Sequence, residues 1–148
     1  MPDNQPSGHP DYLSTEDIRN FMLDRSVMDN TLTMDLAFSD EVIREAMKRC
    51  AREFNATPPF VSSTTGNRLP SSNILFLYGT AKQCYLAQLQ QLMRNDIDYT
   101  AGGVETNLAK KRIEHFSSLI KSLGDEFKDL SYQFKLNINI RRAYGRVG

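Results

Sequence analysis

An all-α fold is what this sequence predicts: a small helical bundle with two or three long helices and a short N-terminal helix. Three observations carry that reading. Residues 39–55 hold one apolar stripe at helical spacing, residues 71–94 are apolar on most sides, and residues 113–134 keep a seven-residue repeat. A further feature stands apart from the helices. Leu136, Ile138 and Ile140 alternate with Asn137 and Asn139, the period of a strand with one apolar face. The expectation is therefore a bundle followed by an extended, strand-like C-terminal arm. A lone strand needs an edge to join. That edge belongs either to another chain or to an internal partner, residues 32–38 or the 97–106 segment.

Residues 1–13 are polar and proline-rich, which reads as a flexible arm and as neither signal nor transit peptide. Ser14 is a good N-cap, with Asp17 in the capping-box position, and a short helix runs to about Leu23. Its inward residues are Ile18, Phe21 and Met22. Residues 24–38 are ambiguous. Leu32, Met34, Leu36 and Phe38 alternate with polar or small residues, hinting at an extended stretch on the core.

Ser39 caps the next helix, and Asp40 and Glu41 in its first turn suit the helix dipole. Val42, Ile43, Ala46, Met47, Cys50, Ala51 and Phe54 form its stripe. Asn55 marks the stop, and Pro58-Pro59 forbids continuation. The turn-rich loop 56–70 is long for a compact domain, which suggests contact with a partner. Ser71 or Ser72 opens the central helix. Gly79 inside it costs about 1 kcal/mol relative to Ala, a cost that close approach of another helix would explain. Residues 95–106 read as a loop with Gly102-Gly103 at its tip, and Asn107 as the cap of the last helix. There Ile113, Phe116, Ile120, Leu123, Phe127, Leu130 and Phe134 are spaced 3, 4, 3, 4, 3, 4. That seam suits a long helix packed lengthwise on another. The domain division expected is an arm at 1–13, a helical domain at 14–134 and an extended arm at 135–148.

Composition bounds the chemistry. The chain has 148 residues and no net charge. The charge is uneven: residues 1–60 carry 11 acids and 6 bases, a net of −5, and residues 61–148 carry 7 acids and 12 bases, a net of +5. Such polarity suits head-to-tail stacking or steering to a partner. No apolar run reaches the roughly 18 residues of a membrane span. Cys50 and Cys84 fall in apolar helical patterns and read as buried free thiols. No cofactor, metal or catalytic constellation is expected. His9 lies in the polar arm, His115 is a rim residue with Glu114 turned away from it, and Asp96 with Asp98 is too sparse for a metal. Lys110, Lys111 and Arg112 form one basic run, and Arg141, Arg142, Tyr144 and Arg146 a second. These keep a nucleic-acid-binding packaging or regulatory protein open as an alternative.

Several pieces together carry a resemblance: a short N-terminal helix, a helix ending in Phe54-Asn55 before Pro58-Pro59, a central helix opening Ile74-Leu75-Phe76-Leu77-Tyr78-Gly79, a loop Asp98-Tyr99-Thr100-Ala101-Gly102-Gly103-Val104, and a basic tail. From about Ser14 to the end, the chain resembles the head-tail connector, or adaptor, proteins of tailed bacteriophages. The resemblance implies a non-enzymatic subunit of a ring, typically of twelve copies, beneath the portal of the capsid. It further implies contact with a downstream neck or tail protein, and a place in the virion neck after assembly in the host cytoplasm. Leu136, Asn137, Ile138, Asn139, Ile140, Arg141, Arg142, Tyr144 and Arg146 would then meet the portal, with some of the arginines alternatively facing DNA in the channel. Asp98, Tyr99, Gly102 and Gly103 are the candidate partner or channel loop.

Overall fold

The computed structural model describes residues 12–26, 37–96 and 106–145. Four α-helices succeed one another: α1 Thr15–Met22, α2 Asp40–Ala56, α3 Ile74–Asp96 and α4 Thr106–Tyr144. One 3-10 turn, Gly66–Arg68, lies between α2 and α3. No strand occurs among the described residues, and the lone β-bridge joins Tyr12 to Pro70. The all-α reading stands on these elements.

Local chemistry sets the helix starts. The Ser14 hydroxyl accepts from the Asp17 N–H at 3.1 Å, and the Asp17 carboxylate accepts from the Ser14 N–H at 2.9 Å, a reciprocal capping box. Leu23 then closes α1 in the left-handed conformation, φ 59°. Ser39 caps α2 through the Val42 N–H. For α3 the cap is Asn73, whose side-chain oxygen accepts from the Leu75 N–H at 3.3 Å, so the helix opens beyond Ser71 and Ser72. Helix α4 begins at Thr106, which puts Asn107 inside it and not at its cap.

The core lies among α2, α3 and α4. Ile43, Ala46, Met47, Cys50, Ala51 and Phe54 of the α2 stripe are buried, whereas Val42 turns to solvent at the rim. The α4 seam faces the body along its length: Leu123 and Phe127 are buried, and Ile113, Phe116, Ile120, Leu130 and Phe134 are half-buried. Ring contacts tie the layers together. Phe54 packs edge-on to Phe76 at 5.0 Å and lies 6.1 Å from Phe134, while Tyr85 bridges Phe38 at 5.9 Å and Phe116 at 6.0 Å. Across the same three helices, Glu53 of α2 binds Lys82 and Gln83 of α3, and the Lys82 ammonium sits 5.4 Å from the Phe127 ring.

Side-chain hydrogen bonds hold two of the connecting segments to the body. Asp24, buried, accepts from the N–H groups of Ala37 and Phe38 at 2.9 and 3.1 Å and pairs with Arg19, which reaches on to Asp40. These contacts close the base of residues 27–36, where Leu32, Met34 and Leu36 lie outside the described residues. The loop after α2 is pinned by Asn55, whose amide pairs with both backbone groups of Thr64 at 2.7 and 2.9 Å. Gly66 rests directly on α2, where a Cβ would lie 2.8 Å from the Lys48 nitrogen, and Leu69 is buried. The loop is therefore anchored on its own chain at Thr64, Gly66 and Leu69.

The expected C-terminal arm is corrected. Residues 135–144 do not form an extended strand; they continue α4. Alternation over five residues is too short to outweigh a helix already running for about eight turns. The 3,4 seam passes through Phe134 to Ile138, which is half-buried in helical register. The residues expected to face a portal thus stand on a helix, so the expected boundary at 134/135 falls inside one element.

Gly79 shows why the bundle can close. A Cβ there would lie 2.5 Å from the Cys50 sulfur and 2.6 Å from the Phe127 ring. Both partners are buried, so neither has room to withdraw. Gly79→Ala would gain about 1 kcal/mol of helix propensity but overpack this crossing. The expected net outcome is a loss of about 1–3 kcal/mol, read from urea denaturation; unchanged or increased stability would contradict the tight crossing.

Candidate functional site

The described residues that draw attention sit at one end of the bundle. At that end α2 finishes, α3 begins and α4 runs on. Lys135 marks the level. Its ammonium donates to the carbonyls of Phe54 and Thr57 at the end of α2 and lies 4.3 Å over the Phe54 ring. A cation at a helix C-terminus satisfies carbonyls that lack intrahelical donors and meets the negative end of the dipole. The side chain is 1% exposed, and desolvation pushes its pKa below the usual lysine range. Residues 136–144 therefore extend past the end of α2 by about 13 Å, at about 1.5 Å per residue.

On this extension the outward side is apolar. Tyr132, Leu136, Ile140 and Tyr144 are spaced by four and are 54%, 39%, 46% and 77% exposed. Residues four apart form one row on a helix. Phe60, on the loop pinned by Asn55, and Ile74, at the start of α3, are exposed at the same end of the bundle. Arg141 and Arg142 stand in the last turn of α4, both exposed. Large apolar side chains gathered at one end and flanked by cations are the composition of an interaction surface.

The nine residues expected to dock meet mixed fates. Leu136, Ile140, Arg141, Arg142 and Tyr144 share the exposed extension. Ile138 and Asn139 are half-buried toward the body, and Asn137 is exposed. Arg146 lies outside the described residues, as do Asp98, Tyr99, Gly102 and Gly103. Strand alternation would have put Leu136, Ile138 and Ile140 on one face. The helix instead sends Ile138 inward and joins Leu136 and Ile140 to Tyr132 and Tyr144. The i+4 spacing was readable in the chain, but the five-residue alternation masked it. Phe60 and Ile74 carry no sequence signal of exposure.

The two basic runs are not brought together. Lys110, Lys111 and Arg112 are exposed near the start of α4, and thirty residues separate Lys111 from Arg141, about 45 Å of helix. His115 and Glu114 are both exposed. A shallow groove of about 230 Å³ between α2 and α3 is lined by Val42, Ala46 and Ala87, with Glu41, Glu45 and Arg49 at its margin. Lys48 beside Glu45 holds that carboxyl below its ordinary range. Among the described residues no group of three or more His, Cys, Asp or Glu could hold a metal ion, and no helix is long and apolar enough to cross a membrane.

Both cysteines are free and buried. Burial pushes each thiol up to about 12 from 9.0. They remain protonated in the folded chain at neutral pH, which is unsuited to thiolate chemistry.

Comparison with protein-family models, with curated proteins and with solved structures finds no match to this chain.

Two measurements test this arrangement. Lys135→Met keeps the unbranched stem but leaves the Phe54 and Thr57 carbonyls without their ammonium, and should cost about 1–3 kcal/mol in chemical denaturation. For the thiols, an unfolded chain sheds protons from about pH 9.0 that the native chain holds until about 12. The native state then binds more protons, so stability falls as pH rises across that window. The slope of the urea midpoint against pH should be shallower in Cys50→Ala/Cys84→Ala, and an equal slope in both proteins would refute the shift.

Proposed function

We propose that this chain is a structural subunit of a head-tail connector of a tailed bacteriophage, and that the end of the bundle carrying the α4 extension is its docking element. The supporting observation is the exposed row Tyr132, Leu136, Ile140 and Tyr144 beside Arg141 and Arg142. Burying one such large apolar side chain contributes about 1.5–3 kcal/mol before ordering costs. A segment that is already helical loses less conformational freedom on docking than an extended arm would. The portal is the partner assigned to this end, in a ring of about twelve copies with a downstream neck or tail protein on the other side. The subunit has no catalytic role in this reading.

The experiment is light scattering of the full-length chain, alone and with the portal ring encoded in the same genome. A ring-sized complex is expected with the portal, and its loss is expected in Leu136→Asp/Ile140→Asp with unchanged far-ultraviolet circular dichroism. A chain indifferent to the portal that binds short DNA duplexes in a strongly salt-dependent way would overturn the connector reading in favour of a nucleic-acid-binding protein.

A further inference from the structure

We propose that the outer face of α2, with the 3-10 turn seated against it, binds a nucleic acid through its phosphate backbone.

The placement of charge is the first ground. Residues 1–60 are acidic overall, yet four of their six bases, Arg44, Lys48, Arg49 and Arg52, fall within nine residues of α2 that hold one acid, Glu45. All four are exposed. Arg44, Lys48 and Arg52 are spaced by four and form a row about 12 Å long, and Arg49 flanks it one turn before Arg52. Lys48, Arg49 and Arg52 all act on the Glu45 carboxyl, so they share its side of the helix.

The acids nearby are already engaged. Asp40 pairs with Arg19, Glu45 with Lys48, and Glu53 with Lys82 and Gln83. Arg44, Arg49 and Arg52 form no ion pair among the described residues. Like charges three and four apart on a helix oppose one another. Cations held together against that repulsion are relieved by an external polyanion.

The loop after α2 enlarges the surface. Gly66 rests on the Lys48 backbone and brings the exposed Arg68 to this side of the body. No acid occurs from Phe54 to Asn95, and the exposed Ser63, Thr65 and Asn67 add neutral hydrogen-bond donors.

The chemistry selects the occupant. From Arg44 to Arg52 every exposed side chain is charged, and the 3-10 turn exposes only Asn67 and Arg68. A protein interface needs a buried apolar centre, and a helix lying on a membrane needs an apolar face to insert. This surface offers neither. Phosphate contacts need only cations and hydrogen-bond donors, and the guanidinium fork of arginine matches phosphate oxygens in pairs. Contacts made to phosphates carry no base readout, so binding should be indifferent to sequence.

The surface uses no residue of the α4 row, so it does not depend on the connector reading.

Fluorescence anisotropy of the full chain with a labelled mixed-sequence DNA duplex, at a series of salt concentrations, tests the proposal. Neutralising about four phosphates should give a slope of log K against log salt of about −3 to −4. Arg44→Gln/Arg52→Gln should weaken binding about tenfold or more and make the slope shallower by about 2, with an unchanged urea midpoint. Arg68→Gln should make it shallower by about 1. Lys110→Gln/Lys111→Gln, on exposed residues of α4, should bind as the parent chain does. No binding at low salt, or an affinity and slope untouched by Arg44→Gln/Arg52→Gln, would overturn the proposal. So would polyglutamate that displaces the duplex as well as unlabelled DNA of equal charge, because the surface would then be a site for acidic protein. Portal binding by a chain that ignores DNA would overturn this surface and leave the connector reading standing. DNA binding through α2 by a chain that ignores the portal would do the reverse.

Discussion

The crossing at Gly79 is the constraint on which the rest of this bundle depends. Three helices meet there, with the Cys50 sulfur of α2 and the Phe127 ring of α4 occupying the space a side chain on α3 would need. Close packing at that point lets Phe54 reach Phe76 and Phe134 on one side. It also brings Glu53, Lys82 and Phe127 into one polar brace across the same helices. Glycine is unfavourable in a helix interior, yet here its missing Cβ is what permits burial of larger neighbours.

A second interaction converts that core into a molecule with distinct ends. Lys135 belongs to α4 but completes the end of α2, where its ammonium meets two carbonyls and an aromatic face. Fully burying a cation is tolerated when several acceptors hold it. The arrangement anchors α4 at the last point where it has neighbours on α2. Beyond Lys135 only part of the helix circumference is covered, so apolar residues on the outward side stay in solvent. Asn55 and Thr64 hold the adjoining loop, and the same end therefore presents Phe60 and Ile74 as well.

The connector reading draws on one property of this end, an exposed apolar row on the outward side of a helix. It replaces the extended arm suggested by strand alternation with a helix. That change matters physically, because a preformed helix presents all its side chains in fixed register, whereas an extended arm would have to be ordered by its partner.

Much of the architecture was legible in the chain. The Ser14 capping box, the Ser39 cap, the buried α2 stripe and the α4 seam are local or periodic features, and local chemistry decides them. The need for close approach at Gly79 was readable too, because a glycine in a strongly apolar helix calls for a reason. Other features were not. Leu136, Ile138 and Ile140 fit a strand and a helix equally well over five residues, and the cooperative continuation of α4 from Phe134 to Ile138 resolved the choice. Nothing about Lys135 in sequence separates it from the solvated lysines around it. Its burial exists because α2 ends where α4 passes, and the position of one chain segment against another is decided by tertiary packing alone.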